Sequence, residues 1–268
     1  MQSRKNGQKH IWVLSGTGEG PLLASALVDE GWEVTVSVVS DSASLSYLEI
    51  SLTSILVGPL QGVEGIKSVL DEAVSLHNGF DWVIDATHPF AVEISANLYK
   101  ACKEFGQSLL CFERPMEAAP GVCLINDIKD LSTHSLKGRN LLMAIGARHL
   151  GEAVSTAHEA GAKVYARVLP TPKSLKQSLL CSLPECALAV IRPLQGSQKG
   201  IIERALCRRW SISDVICRQS GGVTEKLWQD ICNEGKIKLW LITRPALPKG
   251  VEVVHTFNTL LERVETFK

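Results

Sequence analysis

Over the first 112 residues, short apolar runs rich in β-branched side chains alternate with longer stretches of helical spacing. The runs are HIWVL (10–14), EVTVSVV (33–39), TSILV (53–57), DWVIDA (81–86) and SLLCF (108–112). Runs of this length and composition predict strands. Between them, residues 21–30, 62–77 and 89–106 repeat apolar positions with a helical period. In PFAVEISANLYKACKEFG, Phe90, Ile94, Leu98, Ala101 and Phe105 form one stripe. Pro89 suits a first turn and Gly106 a terminus, so a helix is predicted over 89–106. Strands alternating with helices imply right-handed βαβ units and a parallel sheet covered on both faces.

The alternation restarts after ERPMEAAPGV (113–122), with strand-like runs at RNLLMAI, AKVYARV, CALAVI, SDVIC and KIKLWLI. The expected architecture is α/β: two doubly wound, Rossmann-like parallel-sheet lobes, 1–117 and 118–268. A ligand cleft is expected between them.

Composition narrows the function classes. Lys plus Arg and Asp plus Glu number 28 each, so no overall field draws in nucleic acid or an anionic membrane, and neither is an expected partner. No apolar run approaches the ~20 residues of a membrane span. The early run IWVL falls short of the ~7–15 apolar residues of a secretion signal, so a cytoplasmic protein is expected. The 8 cysteines include no C-x-x-C pair, which argues for buried reduced thiols and no metal site.

Two strand ends carry candidate chemistry. The first runs into LSGTGEGP (14–21), where Gly16, Gly18 and Gly20 permit a sharp turn and close approach to a ligand. Pro21 then opens a helix whose free N–H groups attract an anion. The spacing is G-x-G-x-G, whereas the dinucleotide fingerprint requires glycine where Pro21 stands. A glycine turn without ligand is the plainer alternative. The same spacing occurs in S-adenosylmethionine-dependent methyltransferases, but Leu14 stands where those enzymes carry an acid.

The fourth strand ends in WVIDATHPF (82–90), placing Asp85, Thr87 and His88 at the carboxyl edge. Helical spacing puts His88, Ala91 and Ser95 on one face. In a parallel sheet this edge is shared with the glycine turn, so the two should face each other. Singly, each residue is as readily a helix cap or a satisfied core polar group. Tyr99 and Lys103 in YKACK match a dehydrogenase spacing, but their place between the fourth and fifth strands favours a solvated helix face.

Arg-Pro recurs at three expected strand ends, Arg114-Pro115, Arg192-Pro193 and Arg244-Pro245. Arginine's planar fork suits carboxylates. QSGGVTEKL (219–227) adds a second glycine-rich strand-to-helix turn, a candidate anion cradle.

DATHPFAVEISANLYKAC, preceded by SGTGEG and followed by FERP, resembles the precorrin-6A reductase family. That family carries a Gly-Gly-Thr-x-Glu loop, an Asp-Ala-Thr-His-Pro-Phe-Ala segment and an Arg-Pro pair in this order. The resemblance continues through ARVLP (166–170), CRQSGGVTEKL (217–227) and ITRP (242–245). It implies a two-lobed α/β enzyme of cobalamin synthesis that passes a hydride from a nicotinamide cofactor to precorrin-6A, or its cobalt form, giving precorrin-6B. Departures are Ser15 for the family's first glycine, Arg218 for its lysine, Arg192 where Gly-Pro-Phe is common, and AIGAR (144–148) without hydroxyls before Gly146.

Together these readings nominate Gly16, Thr17, Gly18, Glu19, Ser37, Ser40 and Thr87 for the cofactor. His88 is nominated as proton donor with Asp85 orienting it. Ser95, Arg114, Arg192, Arg218, Ser220, Gly221, Gly222 and Arg244 are nominated for a carboxylate-bearing tetrapyrrole. The resemblance implies NADPH as donor, with NADH possible. Since no Lys or Arg lies between Lys9 and Lys67, hydroxyls, backbone or cations of the second lobe would hold a 2′-phosphate, and Asp41 pointing at the ribose would instead favour NADH. The alternatives are an S-adenosylmethionine-dependent methyltransferase and a non-catalytic dinucleotide-sensing protein.

Overall fold

The structure is a computed structural model that describes residues 9–116, 121–194 and 196–266. The chain divides into one unit of Met1–Pro115 with Pro245–Lys268 and another of Met116–Arg244.

In the first unit the strands are β1 (His10–Ser15), β2 (Glu33–Val38), β3 (Ser54–Val57), β4 (Trp82–Ala86) and β5 (Leu109–Phe112). The helices α1 (Gly20–Asp29), α2 (Asp41–Ser44), α3 (Gly62–His77) and α4 (Val92–Phe105) connect them. The second unit holds β6 (Cys123–Ile125), β7 (Asn140–Met143), α5 (Leu150–Glu159), β8 (Lys163–Val168), α6 (Pro172–Leu179) and β9 (Leu188–Val190). It continues with α7 (Ile201–Arg209), β10 (Asp214–Arg218), α8 (Val223–Gly235) and β11 (Lys238–Ile242). The chain then returns to the first unit for β12 (Glu252–Val254) and α9 (Phe257–Glu265).

Both sheets are parallel. The first runs β12-β5-β4-β1-β2-β3 and the second β6-β11-β10-β7-β8-β9. Read from β3, the first sheet has the 3-2-1-4-5-6 order of a dinucleotide fold, with its switch point between β1 and β4. The sixth strand comes from the chain's end in the first sheet and from the segment before β7 in the second.

Alternation along β1 shows how the core is built. Ile11 and Val13 face one way, into a cluster with Leu23 and Leu27 of α1 and Leu260 of α9. Trp12 and Leu14 face the other way, against Ile66 and Leu70 of α3 and Leu98 of α4. The second sheet repeats the plan, with Leu141 and Met143 toward α5 and Leu142 toward α7 and α8.

Three expectations are corrected. Residues 245–268, assigned above to the second lobe, belong to the first unit, because β12 pairs with β5. The boundary itself falls between Pro115 and Met116; the expected position, 117, lies outside the described residues. Helix α4 begins at Val92 and not at Pro89. The Phe90 N–H is taken by His88 Nδ1 (3.2 Å) and the Ala91 N–H by the His88 carbonyl (2.7 Å), so residues 88–91 close a separate turn first. Gly106 ends the helix in the left-handed region (φ 75°), where glycine carries no Cβ penalty.

Candidate functional site

The glycine loop of residues 16–19 and the turn of residues 85–91 leave β1 and β4, the neighbours at the switch point. Parallel pairing sets Leu14 beside Asp85 and Ser15 beside Ala86. The Gly16 N–H donates to the Ala86 carbonyl at 3.3 Å. A Cβ at Gly16 would lie 2.9 Å from the His88 nitrogen and 3.2 Å from Thr87 Cα, so the two loops touch backbone to backbone. Around Gly18 nothing lies within 4 Å of a would-be Cβ, which leaves that side open for a ligand. Pro21 stands in the first turn of α1, as its fixed φ favours.

Ser15, the departure from the family's first glycine, has a structural role. Its hydroxyl accepts from Tyr47 at 2.6 Å in a buried bond, and Gly20 packs directly over the pair. Burial raises the Tyr47 phenol above its ordinary pKa, and the bond to Ser15 partly offsets this.

Asp85 is buried at 5 % exposure, and one oxygen of its carboxylate accepts from both the Thr87 N–H (3.0 Å) and the Thr87 hydroxyl (2.7 Å). Thr87 Oγ1 lies 3.2 Å from Ser95 Oγ on α4. Asp85 therefore shapes the turn through Thr87. On the buried face of α4, burial first and the Asp85 charge second push the Cys102 thiol up to about 12. With Phe90 donating to His88 Nδ1, the neutral imidazole carries its proton on Nε2.

Beside this turn is a largely apolar cavity of about 330 Å³. Asp85, Thr87, His88, Val92 and Ser95 line one side; Cys111, Phe112, Glu113 and residues 245–248 line the other. The sequence reading missed that second wall. Its one signal was the proline pair in RPALP, which was weighed only for its arginine.

Other nominated residues separate into several environments. Ser37 is not available to a cofactor: it is buried and its hydroxyl accepts from the Trp12 indole at 2.8 Å. Ser40 is exposed at the end of β2, with its hydroxyl 3.1 Å from that of Ser42. Arg114 is drawn to the glycine loop, pairing with Glu19 at 2.8 Å, so it neutralises a carboxylate beside the anion-attracting terminus of α1. Lys103 lies over the Tyr99 ring on α4, as befits a solvated face.

Arg218 ends β10, and Arg192, Ser220, Gly221, Gly222 and Arg244 follow β9, β10 and β11 at the carboxyl edge of the second sheet. The Gly221 N–H, offered above as an anion cradle, is already taken by the Glu225 carboxylate at 2.6 Å. Arg244 Nε reaches the Gln219 carbonyl at 3.5 Å. Burial and then the charge of Arg148 lower the pKa of the Arg218 guanidinium. Arg148 and Arg167 on this edge were not nominated. Among the described residues, no three His, Cys, Asp or Glu side chains are grouped to hold a metal ion, and no helix is long and apolar enough to cross a membrane.

Known proteins resemble this chain in sequence and fold. The chain is 26 % identical over 246 residues to a cobalt-precorrin-6A reductase of Synechocystis sp., covering 90 % of each. It is 27 % identical over 250 residues to a precorrin-6A reductase of Mycobacterium tuberculosis, covering 92 % of this chain and 94 % of that one. The solved structure of a CobK precorrin-6A reductase superposes with a TM-score of 0.73 at 25 % identity, covering 97 % of both chains. Residues 10–265 match the family model described as precorrin-6x reductase CbiJ/CobK, and the chain belongs to that family.

Proposed function

We propose that this protein is a precorrin-6A reductase, acting on precorrin-6A or its cobalt form to give precorrin-6B in cobalamin synthesis, with NADPH as donor and NADH as a possible substitute. The observation that carries the reading is the backbone contact between the Gly16 loop and the Thr87-His88 turn at the switch point, next to a cavity with apolar walls. A dinucleotide fold places its ligand at that point. Gly16 admits close approach, the α1 terminus attracts a pyrophosphate, and Arg114 cancels the Glu19 charge that would oppose it.

When bound, the nicotinamide supplies the hydride, and one proton completes saturation of the macrocycle double bond. The protein's own work is to bind, align and keep water out. Thr87 is held by hydrogen bonds to Asp85 and a 3.2 Å contact with Ser95 Oγ, which fix the form of its turn. His88 is the proposed proton source, through Nε2. Asp85 is then a positioning residue. With no Lys or Arg between Lys9 and Lys67, the exposed hydroxyls of Ser40 and Ser42 are the proposed contacts for a 2′-phosphate, whereas Asp41 turned toward the ribose would favour NADH.

Anaerobic incubation with precorrin-6A, with its cobalt form and with each reduced cofactor tests the reading. Loss of nicotinamide absorbance coupled to a change in the macrocycle spectrum is expected. Consumption of S-adenosylmethionine instead, or dinucleotide binding with no turnover of either macrocycle, would refute it. A large NADH preference in kcat/KM would assign Asp41 to the ribose hydroxyl. Turnover by His88→Ala equal to wild type across pH would leave His88 structural.

A further inference from the structure

Arg167 is out of place by composition. It sits near the end of β8 between Ala166 and Val168, both fully buried, and is itself only 7 % exposed. Burial holds its guanidinium below the ordinary range, and the charge of Glu203 on α7 works against that shift. Glu203 is 1 % exposed. Its Oε1 accepts the Leu194 N–H at 3.1 Å, and Leu194 is a non-glycine residue held at φ 62°. Arg167 Nε and Glu203 Oε2 are enclosed and have no hydrogen-bond partner among the described residues.

An enclosed polar atom without a hydrogen bond is costly, and apolar replacement of a buried pair of opposite charges is often neutral or stabilising. The second unit nevertheless keeps an arginine with an unpartnered Nε at the carboxyl edge of its sheet. The neighbouring strand adds another guanidinium. Arg167 registers with Ala189 of β9, the Ile191 N–H donates to the Val168 carbonyl at 3.0 Å, and Arg192 follows, exposed. The strained turn that carries Arg192 onward is tied down at Leu194 by Glu203.

We propose that Arg167 and Arg192, on adjacent strand ends, form a carboxylate-binding subsite, with Glu203 as the positioning residue that fixes the turn after Arg192. The inference rests on the tetrapyrrole reading, in which acetate and propionate arms supply the carboxylate. The arginine fork matches that group in two parallel hydrogen bonds.

The test is anaerobic titration of the full chain with precorrin-6A at low and high salt, beside steady-state kinetics and thermal melting. Arg167→Gln is expected to raise the Kd for precorrin-6A about tenfold or more, as for loss of a charged hydrogen bond. The affinity for the nicotinamide cofactor should stay at the wild-type value. Arg192→Gln, at an exposed position with no fold at stake, is expected to move the same Kd in the same direction and to weaken its salt dependence. Wild-type affinity for precorrin-6A in both folded variants would overturn the proposal, as would an equal loss for precorrin-6A and the cofactor. Should Arg167→Gln not fold, Arg192→Gln decides by the same criteria. If the wild-type protein reduces no precorrin-6A, the reductase reading fails separately. Titration with uroporphyrin, a flat polycarboxylate, then decides the subsite, because unchanged binding by the variants refutes it and weakened binding upholds it.

Discussion

Replacing Gly16 by alanine tests the contact on which the site depends. The residue is not in the left-handed region, so alanine fits its backbone and the effect is steric. The new methyl would stand 2.9 Å from the His88 nitrogen and 3.2 Å from Thr87 Cα, against the ~3.5–4.0 Å of relaxed contacts. Both obstacles are main-chain atoms of a turn pinned by Asp85, so no flexible side chain can swing aside. Overpacking of this kind costs about 1–3 kcal/mol. In a unit of this size that corresponds to a melting point lower by roughly 3–10 °C. The loop or the turn must move by several tenths of an ångström, so the nicotinamide Kd should rise about tenfold, equivalent to ~1.4 kcal/mol. Fluorescence titration with NADPH and NADH, alongside thermal melting, measures both quantities. Gly18→Ala is the control, since nothing lies within 4 Å of its methyl in the free protein, and its melting point should match wild type. If Gly16→Ala melts and binds like the parent, the loop and the turn are not in contact and the reasoning fails.

Three further outcomes are expected. Asp85→Ala leaves the Thr87 N–H and hydroxyl without their buried acceptor and should cost about 1–3 kcal/mol in urea unfolding, with kcat falling more than the nicotinamide affinity; unchanged stability would show that Asp85 does not hold the turn. Asp214, fully buried, accepts from Arg139 Nε, Ser213 Oγ and Trp240 Nε1, and Arg139→Ala should destabilise by about 1–3 kcal/mol by removing the charged one of its three donors, which guanidinium unfolding would measure. Burial raises Cys102 and Cys232 to about 12 and Cys207 to about 11 from the about 9 of an ordinary thiol, so above pH 9 the unfolded chain releases protons that the fold retains. Stability should therefore be level below pH 9 and fall by roughly 1.4 kcal/mol per pH unit per thiol above it, until each folded pKa is passed; a melting point unchanged between pH 8 and pH 10 would contradict that burial.

The short-range code of the chain was enough for the element types. Apolar runs at 10–14, 33–39 and 81–86 became β1, β2 and β4 because a parallel strand covered on both faces needs continuous hydrophobicity, which is a local property. The glycine loop and the Asp85-Thr87-His88 cluster were legible for a related reason, since strand polarity puts every strand-to-helix junction on one edge. Errors arose where competing hydrogen bonds decided the outcome. Pro89 is a good first-turn residue, but His88 took the N–H groups of Phe90 and Ala91 and delayed the helix to Val92. Ser37 was read as a ligand contact because it lies near a strand end, whereas its hydroxyl was already spoken for by Trp12.

Other features depended on groups far apart in the chain. The three-residue strand EVV carries almost no propensity signal, and its place beside β5 follows from burying Val254, Leu260 and Val264 against the first sheet. That return also brings residues 245–248 to the cavity wall. The Glu19–Arg114 pair joins positions 95 residues apart, and Arg167 acquired its meaning only when folding removed its solvent without providing a hydrogen bond to Nε. Periodicity and turn chemistry act over a few residues and can be read along the chain. Burial, ion pairing and pocket walls are set by which surfaces meet, and that is decided by the free energy of the packed whole.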